Sequence, residues 1–333
     1  MSSSWLARAS SYVVVLAALW IGAAWHAQRD DEEDGTTRRT AGHRGRRQDN
    51  EEDSSAGRLP WTVIVCVFYV LAATLAASKM HATEAVQAEF GKWADVAQAR
   101  GRCPTVVLGV ARVAAGAYVF YVDYKLYYLV SGPLFAGGAW VFGTFTMWSW
   151  TLIGVYCLLA GAASLLDAAG FGPHEGRRIR WFTCTLWVLF EIMLPVAITI
   201  FLAVWLVLIP AFYLSTGSYG GMFEFYPFMT HNANALIMAA EAVLNRILIM
   251  RNHVYFMVYY GVLYVLYSWV HYHNHGYFFY FFIDFNSRTA VVGYPVVLGT
   301  MIGVFFLCRR FVNKSKMDEI TGYSDEVELY PVE

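Results

Sequence analysis

Long apolar runs recur along the chain, and they constrain its fold more than any other feature. A helix needs about 20 apolar residues to cross the hydrocarbon layer of a bilayer, and runs of this kind recur along the chain. Charged residues make up only 15% of the chain, whereas soluble domains carry about 25%. We therefore predict an all-α fold, a polytopic transmembrane helical bundle. The net charge of −1 gives no indication of nucleic-acid binding.

The loops between the apolar runs alternate in basic charge, which indicates both the number of spans and their orientation. One span is predicted at 61–78, and six more form a core within residues 105–311. These six are 105–122, 144–166, 182–210, 228–247, 254–272 and 290–308. Basic residues cluster after the second, fourth and sixth core spans. By the positive-inside rule, these loops and the tail 312–333 are expected to be cytoplasmic.

The segments that precede the core differ sharply in composition. Residues 1–27 contain a short apolar run after Arg8, which fits a signal peptide or an N-terminal anchor equally well. Residues 28–59 hold seven arginines and nine acidic residues, so we expect a disordered charged linker. Residues 60–104 predict a transmembrane helix followed by a segment on the membrane surface.

Arg112, Glu191 and Glu241 fall well inside predicted spans, where a charged side chain needs a partner or a cavity. Arg112, Glu191 and Glu241 all lie at a similar distance from the predicted cytoplasmic ends of their spans. We expect an ion pair between Arg112 and one of the two glutamates. The alternative is a glutamate that burial keeps neutral.

A second polar group is predicted at the opposite, non-cytoplasmic rim. It combines one hydroxyl, several imidazoles and a carboxylate: Thr146, His231, His271, His273, His275 and Asp284. A metal site is one interpretation, but on a continuing helix only His271 and His275 share a face. We therefore expect no metal or other cofactor. The adjoining run of aromatic residues at 277–282 is typical of an interfacial belt.

The hydroxyl and the first histidine of this group could also do chemistry together. A threonine needs a base to take its proton during attack, and histidine titrates near neutral pH. Asn234 lies three residues after His231 and could orient the imidazole or stabilise an oxyanion, with Asn232 a weaker candidate. The alternatives are a helix N-cap for Thr146 and a histidine packed at the membrane interface for His231.

Three short segments, in this order and spacing, resemble a known family. They are Phe145-Thr146 with Trp148, His231 with Glu241, and Trp269-Val270-His271 before Gly276. The chain resembles, over residues 105–311, the androgen-induced and androgen-dependent TFPI-regulating multipass proteins and the related Rolling-stone proteins. The androgen-induced branch consists of intramembrane threonine hydrolases that cleave fatty acid esters of hydroxy fatty acids. The resemblance implies Thr146 as nucleophile and His231 as base.

Two functions of different kinds follow from these features. The first is an intramembrane lipid esterase that takes a fatty acyl ester from the bilayer, with His271, His275 and Asp284 lining or orienting its site. The second is a non-catalytic membrane adhesion or fusion protein of the Rolling-stone type, in which the charged linker is the working part. A transporter that uses the buried charges is a third and weaker alternative. In each case we expect a multi-pass protein of the endoplasmic reticulum or plasma membrane.

Overall fold

A computed structural model describes residues 61–82, 92–129, 138–173 and 180–320. The described residues are almost entirely helical, with a single isolated β-bridge between Ala99 and Asn245. The helices are α1 (Trp61–Ala82), α2 (Trp93–Ala97), α3 (Thr105–Leu129), α4 (Phe145–Ala168), α5 (Arg180–Ala203), α6 (Ile209–Thr216), α7 (Phe225–Leu244), α8 (Val254–His275) and α9 (Ala290–Ile320). The predicted segments 1–27 and 28–59 lie outside these residues.

The helices confirm the predicted all-α polytopic bundle. Each predicted span corresponds to a helix, and among the described residues five stretches are long and apolar enough to cross a membrane. These are Trp61–Lys79, Thr105–Tyr128, Phe145–Ala168, Trp181–Thr216 and Ala290–Lys316. Helices α7 and α8 have 20 and 22 residues but a more polar composition, because they carry the histidines, asparagines and tyrosines of the predicted rim. The last helix continues to Ile320, into the predicted tail.

The longest span contains a π-helical turn at Val204–Leu208, which joins α5 to α6. Pro210 follows this turn and has no amide to donate to the carbonyl group of Leu206, so a regular α-helix cannot continue unchanged. Helices commonly absorb such a break as a π-bulge, and these bulges are frequent at functional sites. Here the bulge precedes the residues of α6 that line the cavity described below.

Part of the segment before the first core helix is buried against the bundle, which corrects the expected membrane-surface location for residues 96–99. Val96 and Ala97 are fully buried, and Ala99 is nearly so. Its backbone is held by partners from distant helices: Arg100 N–H donates to the Leu244 carbonyl at 2.7 Å, and Arg246 Nε donates to the Ala99 carbonyl at 3.1 Å. Buried backbone groups need partners of this kind.

The predicted buried ion pair is confirmed, and Glu241 is the partner of Arg112. Arg112 Nε lies 2.6 Å and 3.1 Å from the two carboxylate oxygens of Glu241, and both side chains are buried. The same guanidinium donates to the Val96 carbonyl at 2.8 Å and to Ser164 Oγ at 2.7 Å. One arginine of α3 therefore connects α2, α4 and α7.

Glu191 has a different role. Its carboxylate accepts from Met250 N–H at 2.6 Å and contacts Nδ1 of His253. It thereby supports residues 245–250, an irregular segment whose side chains Ile247 and Ile249 are buried. Asn313 of α9 adds a matching pair of hydrogen bonds to the Ile249 amide and carbonyl, both at 2.8 Å.

Helices α3 and α4 approach closely through glycines. A Cβ on Gly161 would lie 2.8 Å from Val113 Cγ2 and 3.0 Å from the Val113 backbone nitrogen. A Cβ on Gly116 would lie 2.7 Å from Leu158. Small residues at a helix interface allow this close packing in membranes, and the contact surrounds the base of the Arg112 side chain.

We expect Gly161→Ala to destabilise the protein by about 1–3 kcal/mol, because the new methyl group meets backbone that cannot move aside. The matched control is Gly299→Ala in α9, where an added Cβ meets nothing within 4 Å. That change should be neutral or slightly stabilising. Thermal unfolding of the purified variants in detergent checks this, and equal unfolding temperatures would contradict the proposed α3–α4 contact.

We expect Arg112→Ala and Glu241→Gln each to lower the free energy of unfolding by about 3–5 kcal/mol, because each removes one charge of a buried ion pair and leaves the other unmatched. Arg112→Lys should also be destabilising, because an ammonium group cannot reproduce the hydrogen bonds of the guanidinium group. The double variant Arg112→Met with Glu241→Leu should be more stable than Arg112→Ala. Arg288→Lys changes an exposed arginine and serves as the control. The measurement is the yield and unfolding temperature of monodisperse protein; wild-type behaviour of Arg112→Ala would contradict the role of the pair.

Candidate active site

A cavity of about 790 Å³ opens at the end of the bundle opposite the ion pair. We call this the rim cavity. It lies within the size range of about 300–1,000 Å³ that is usual for small-molecule sites. Its walls come from the beginnings of α4 and α7, from the end of the α5–α6 span and from the aromatic residues after α8. Most lining residues are apolar, and they include Leu126, Val141, Met147, Leu208, Ala211, Phe212, Met222, Pro227, Phe278, Phe279 and Phe281.

Thr146 lines the rim cavity from the first turn of α4 and is buried. The helix cap is a different threonine: the side chain of Thr144 accepts from the Met147 amide at 3.3 Å. The alternative interpretation of Thr146 as an N-cap is therefore wrong. The structure instead places the Thr146 hydroxyl group beside the cavity, within the first turn at the positive end of the helix.

His231 lines the same cavity from the second turn of α7 and is also buried. Its Nδ1 atom has no hydrogen-bond partner among the described residues. The neighbouring Thr230 hydroxyl is engaged, because it donates to the Pro227 carbonyl at 2.9 Å. The imidazole therefore retains hydrogen-bonding capacity next to the cavity.

The register of α4 against α7 brings these two residues to a similar depth. Both helices begin at the cavity and run in the same direction, and Tyr156 of α4 donates to Glu241 of α7 at 3.2 Å. Thr146 precedes Tyr156 by ten residues, and His231 precedes Glu241 by ten residues. Ten helical residues span about 15 Å on each helix. The hydrogen bond between Tyr156 and Glu241 therefore aligns Thr146 with His231 at the other end of the two helices.

Asn234 does not line the rim cavity. It is fully buried on α7, its Oδ1 accepts from the Ala235 amide at 2.6 Å, and its Nδ2 has no partner among the described residues. No hydrogen bond joins it to His231 in this structure. Asn232 instead accepts from Trp205 Nε1 at 2.9 Å, which ties α7 to the π-helical turn.

The histidines of α8 lie behind the cavity wall. The helix continues to His275 and ends at Gly276, which has a positive φ of 78°. His271 and His275 therefore share a face, as predicted, with ring centroids 4.6 Å apart. The His271 ring stacks on Phe279 at 4.5 Å. These imidazoles support an aromatic residue that lines the cavity and do not line it themselves, which corrects their expected position.

Asp284 also lies away from the cavity lining. Its Oδ1 accepts from both the backbone and the side-chain nitrogen of Asn286, each at 2.9 Å. This is the pattern of an Asx turn, which shapes the connection into α9. Within the part of the chain that the structure describes, no three His, Cys, Asp or Glu side chains are placed to share a metal ion.

Tyr280 is the residue of this site that the sequence interpretation missed. It lines the rim cavity, and its hydroxyl oxygen lies 3.5 Å from both Thr146 Oγ1 and the Thr146 amide nitrogen. It belongs to the aromatic run at 277–282, which is also typical of an interfacial belt. The only sequence signal was a hydroxyl-bearing side chain within that run, close in sequence to the predicted histidines.

Comparisons of the chain with protein-family profiles, with curated proteins and with solved structures found no match.

Proposed function

We propose that this chain is an intramembrane lipid ester hydrolase in which Thr146 is the nucleophile and His231 is the general base. The observation that carries the proposal is that both side chains, from different helices, line one cavity. A buried threonine hydroxyl and a histidine at one cavity are the components that nucleophilic catalysis requires.

The cavity supports a lipid as the substrate. Its lining is mainly aliphatic and aromatic, as an acyl chain requires, and its polar residues include Thr146, His231 and Tyr280. The five apolar spans support an integral membrane protein, so a lipid ester would reach the site from the bilayer. Fatty acid esters of hydroxy fatty acids are the substrate class that the family resemblance implies.

The reaction proceeds in two halves. Thr146 Oγ attacks the ester carbonyl carbon while its proton passes to His231, and the carbonyl π electrons move to the carbonyl oxygen. The ester C–O bond then breaks, and His231 returns the proton to the departing hydroxyl group. In the second half, water attacks the acyl-threonine and gives its proton to His231. That proton returns to Thr146 Oγ as the fatty acid leaves.

The residues that carry the resemblance divide between the site and its scaffold. Thr146 and His231 line the cavity, whereas Glu241 binds Arg112. Trp148 Nε1 donates to the Phe142 carbonyl at 2.9 Å and holds the chain before α4. Trp269 Nε1 donates to the Tyr294 hydroxyl at 2.7 Å and joins α8 to α9. Of these residues, Thr146 and His231 belong to the proposed site, whereas Trp148, Glu241 and Trp269 hold the scaffold around it.

We expect Thr146→Ala and His231→Ala each to lower kcat for long-chain acyl esters by at least about 100-fold, because each removes a group that acts in proton transfer. The double variant should be no slower than the worse single variant, since the two residues act as a unit. Thr146→Ser should keep part of the activity because its hydroxyl remains. The measurement is ester turnover by purified protein in liposomes.

The matched controls change residues of the same type. Thr230→Val alters a second threonine of the cavity whose hydroxyl is engaged with backbone, and His273→Ala alters an exposed histidine of α8. Both should keep most of the wild-type kcat and the wild-type unfolding temperature. Equal turnover by wild-type protein and Thr146→Ala would overturn the hydrolase proposal and favour the non-catalytic adhesion alternative.

A further inference from the structure

The aromatic residues after α8 form a fixed wall of the rim cavity. The backbone of Phe282 lies directly against α9, because a Cβ on Gly293 would fall 1.9 Å from the Phe282 carbonyl oxygen. The Tyr280 ring stacks on the Phe282 ring at a centroid distance of 5.2 Å. The position of the Tyr280 hydroxyl group is therefore set by packing against α9.

Most other hydroxyl groups that line the cavity already donate to backbone carbonyls. Thr144 donates to Val141 at 3.3 Å, Thr230 to Pro227 at 2.9 Å, and Ser215 to Phe212 at 3.0 Å. Tyr277 is 42% exposed, and its ring contacts His271 at 4.9 Å. Tyr280 is the lining tyrosine whose hydroxyl lies next to Thr146.

The surroundings of Tyr280 favour donation from its hydroxyl group. A tyrosine oxygen accepts hydrogen bonds on its lone pairs and donates one through its proton. The acceptor side faces the Thr146 amide at the N-terminus of α4, where the helix dipole is positive. Burial raises the pKa of Tyr280, so the hydroxyl group keeps its proton at neutral pH. At 3.5 Å the contact between Tyr280 and Thr146 Oγ1 is longer than a normal O–H···O hydrogen bond, so the proton can instead be donated to a group bound in the cavity.

Attack by Thr146 on an ester places negative charge on the carbonyl oxygen within a largely apolar cavity. Such a charge needs a donor that is already in position, and losing one oxyanion donor costs about 10²–10³-fold in kcat. A group 3.5 Å from the nucleophilic oxygen is close enough to reach the carbonyl oxygen once Oγ is bonded to the carbonyl carbon.

We propose that Tyr280 is the oxyanion donor of this site, an inference that rests on the proposed hydrolase function. As the bond between Thr146 Oγ and the carbonyl carbon forms, the carbonyl oxygen receives the π electron pair and accepts a hydrogen bond from Tyr280. The tyrosine keeps its proton throughout. The electron pair re-forms the carbonyl group when the alcohol leaves, and the same donor serves the attack of water. The ligand class is a carboxylic ester with a long apolar chain.

The first test compares Tyr280→Phe with Tyr124→Phe, which removes a hydroxyl group from an exposed tyrosine of α3 that does not line the cavity. Tyr280→Phe should lower kcat by about 10²–10³-fold with little change in KM, since the ring and the apolar lining remain. Tyr124→Phe should stay close to wild type. Wild-type kcat in Tyr280→Phe would overturn the assignment.

The second test separates oxyanion stabilisation from packing. An alkyl trifluoromethyl ketone forms a hemiketal oxyanion on the nucleophile, whereas the ether analogue of the substrate fills the cavity without forming one. Tyr280→Phe should weaken inhibition by the ketone by about 10²-fold or more and leave inhibition by the ether unchanged. Equal weakening of both inhibitors would assign Tyr280 to packing alone.

The outcomes distinguish this inference from the proposed function. If wild-type protein neither turns over acyl esters nor binds the ketone more tightly than the ether, the hydrolase proposal fails and the donor role fails with it. If wild-type protein is active and Tyr280→Phe is equally active, only the donor role fails.

Discussion

A single buried guanidinium group organises the bundle. Arg112 is permanently charged, so its burial requires a matching anion and acceptors for its remaining N–H groups. Glu241, Ser164 and the Val96 carbonyl provide them. Because these partners belong to α7, α4 and α2, the arginine fixes how deeply each of these elements sits against α3. The close glycine contact between α3 and α4 allows the guanidinium to reach all of them.

The ion pair between Arg112 and Glu241 also affects the opposite end of the bundle. Tyr156 and Arg112 hold Glu241 from two helices, which sets α4 and α7 in register. Their first turns then meet at the rim cavity with Thr146 and His231 on its wall. On α7, near this cavity, His231 Nδ1 and Asn234 Nδ2 are buried and have no hydrogen-bond partner among the described residues. Buried polar groups without partners are expected at sites that bind something.

The helices and the ion pair could be predicted from the sequence. The helices depend on local composition, and the ion pair depends on the depth of each charged residue in the membrane. Apolar runs must form helices in a membrane, and a buried arginine must find a carboxylate within its depth layer. Which of the two glutamates pairs with Arg112 depends on which helices are neighbours, and no local sequence pattern specifies that. For the candidate site, the clustering of Thr146 and His231 followed from their depth alone.

The positions of residues 93–100, Tyr280 and His271 could not be predicted, because they depend on contacts between residues that are distant in sequence. Residues 93–100 have the mixed composition of a surface segment, yet Val96, Ala97 and Ala99 are buried, and Arg112 and Arg246 bind the Val96 and Ala99 carbonyl groups. Tyr280 belongs to an aromatic run that suits a membrane interface equally well, and only the packing of Phe282 on Gly293 directs it toward Thr146. His271 was expected at the cavity, but the uninterrupted α8 places it behind Phe279.

The most direct measurement of the central claim is the site of covalent acylation. Purified protein in liposomes is treated with a long-chain alkyl fluorophosphonate, digested and mapped by mass spectrometry. We expect one adduct per chain, on Thr146. Its formation should be much slower in His231→Ala, and prior addition of an acyl ester should block labelling of Thr146. Labelling at another residue, or at Thr146 at the same rate in His231→Ala, would contradict a catalytic pair at the rim cavity.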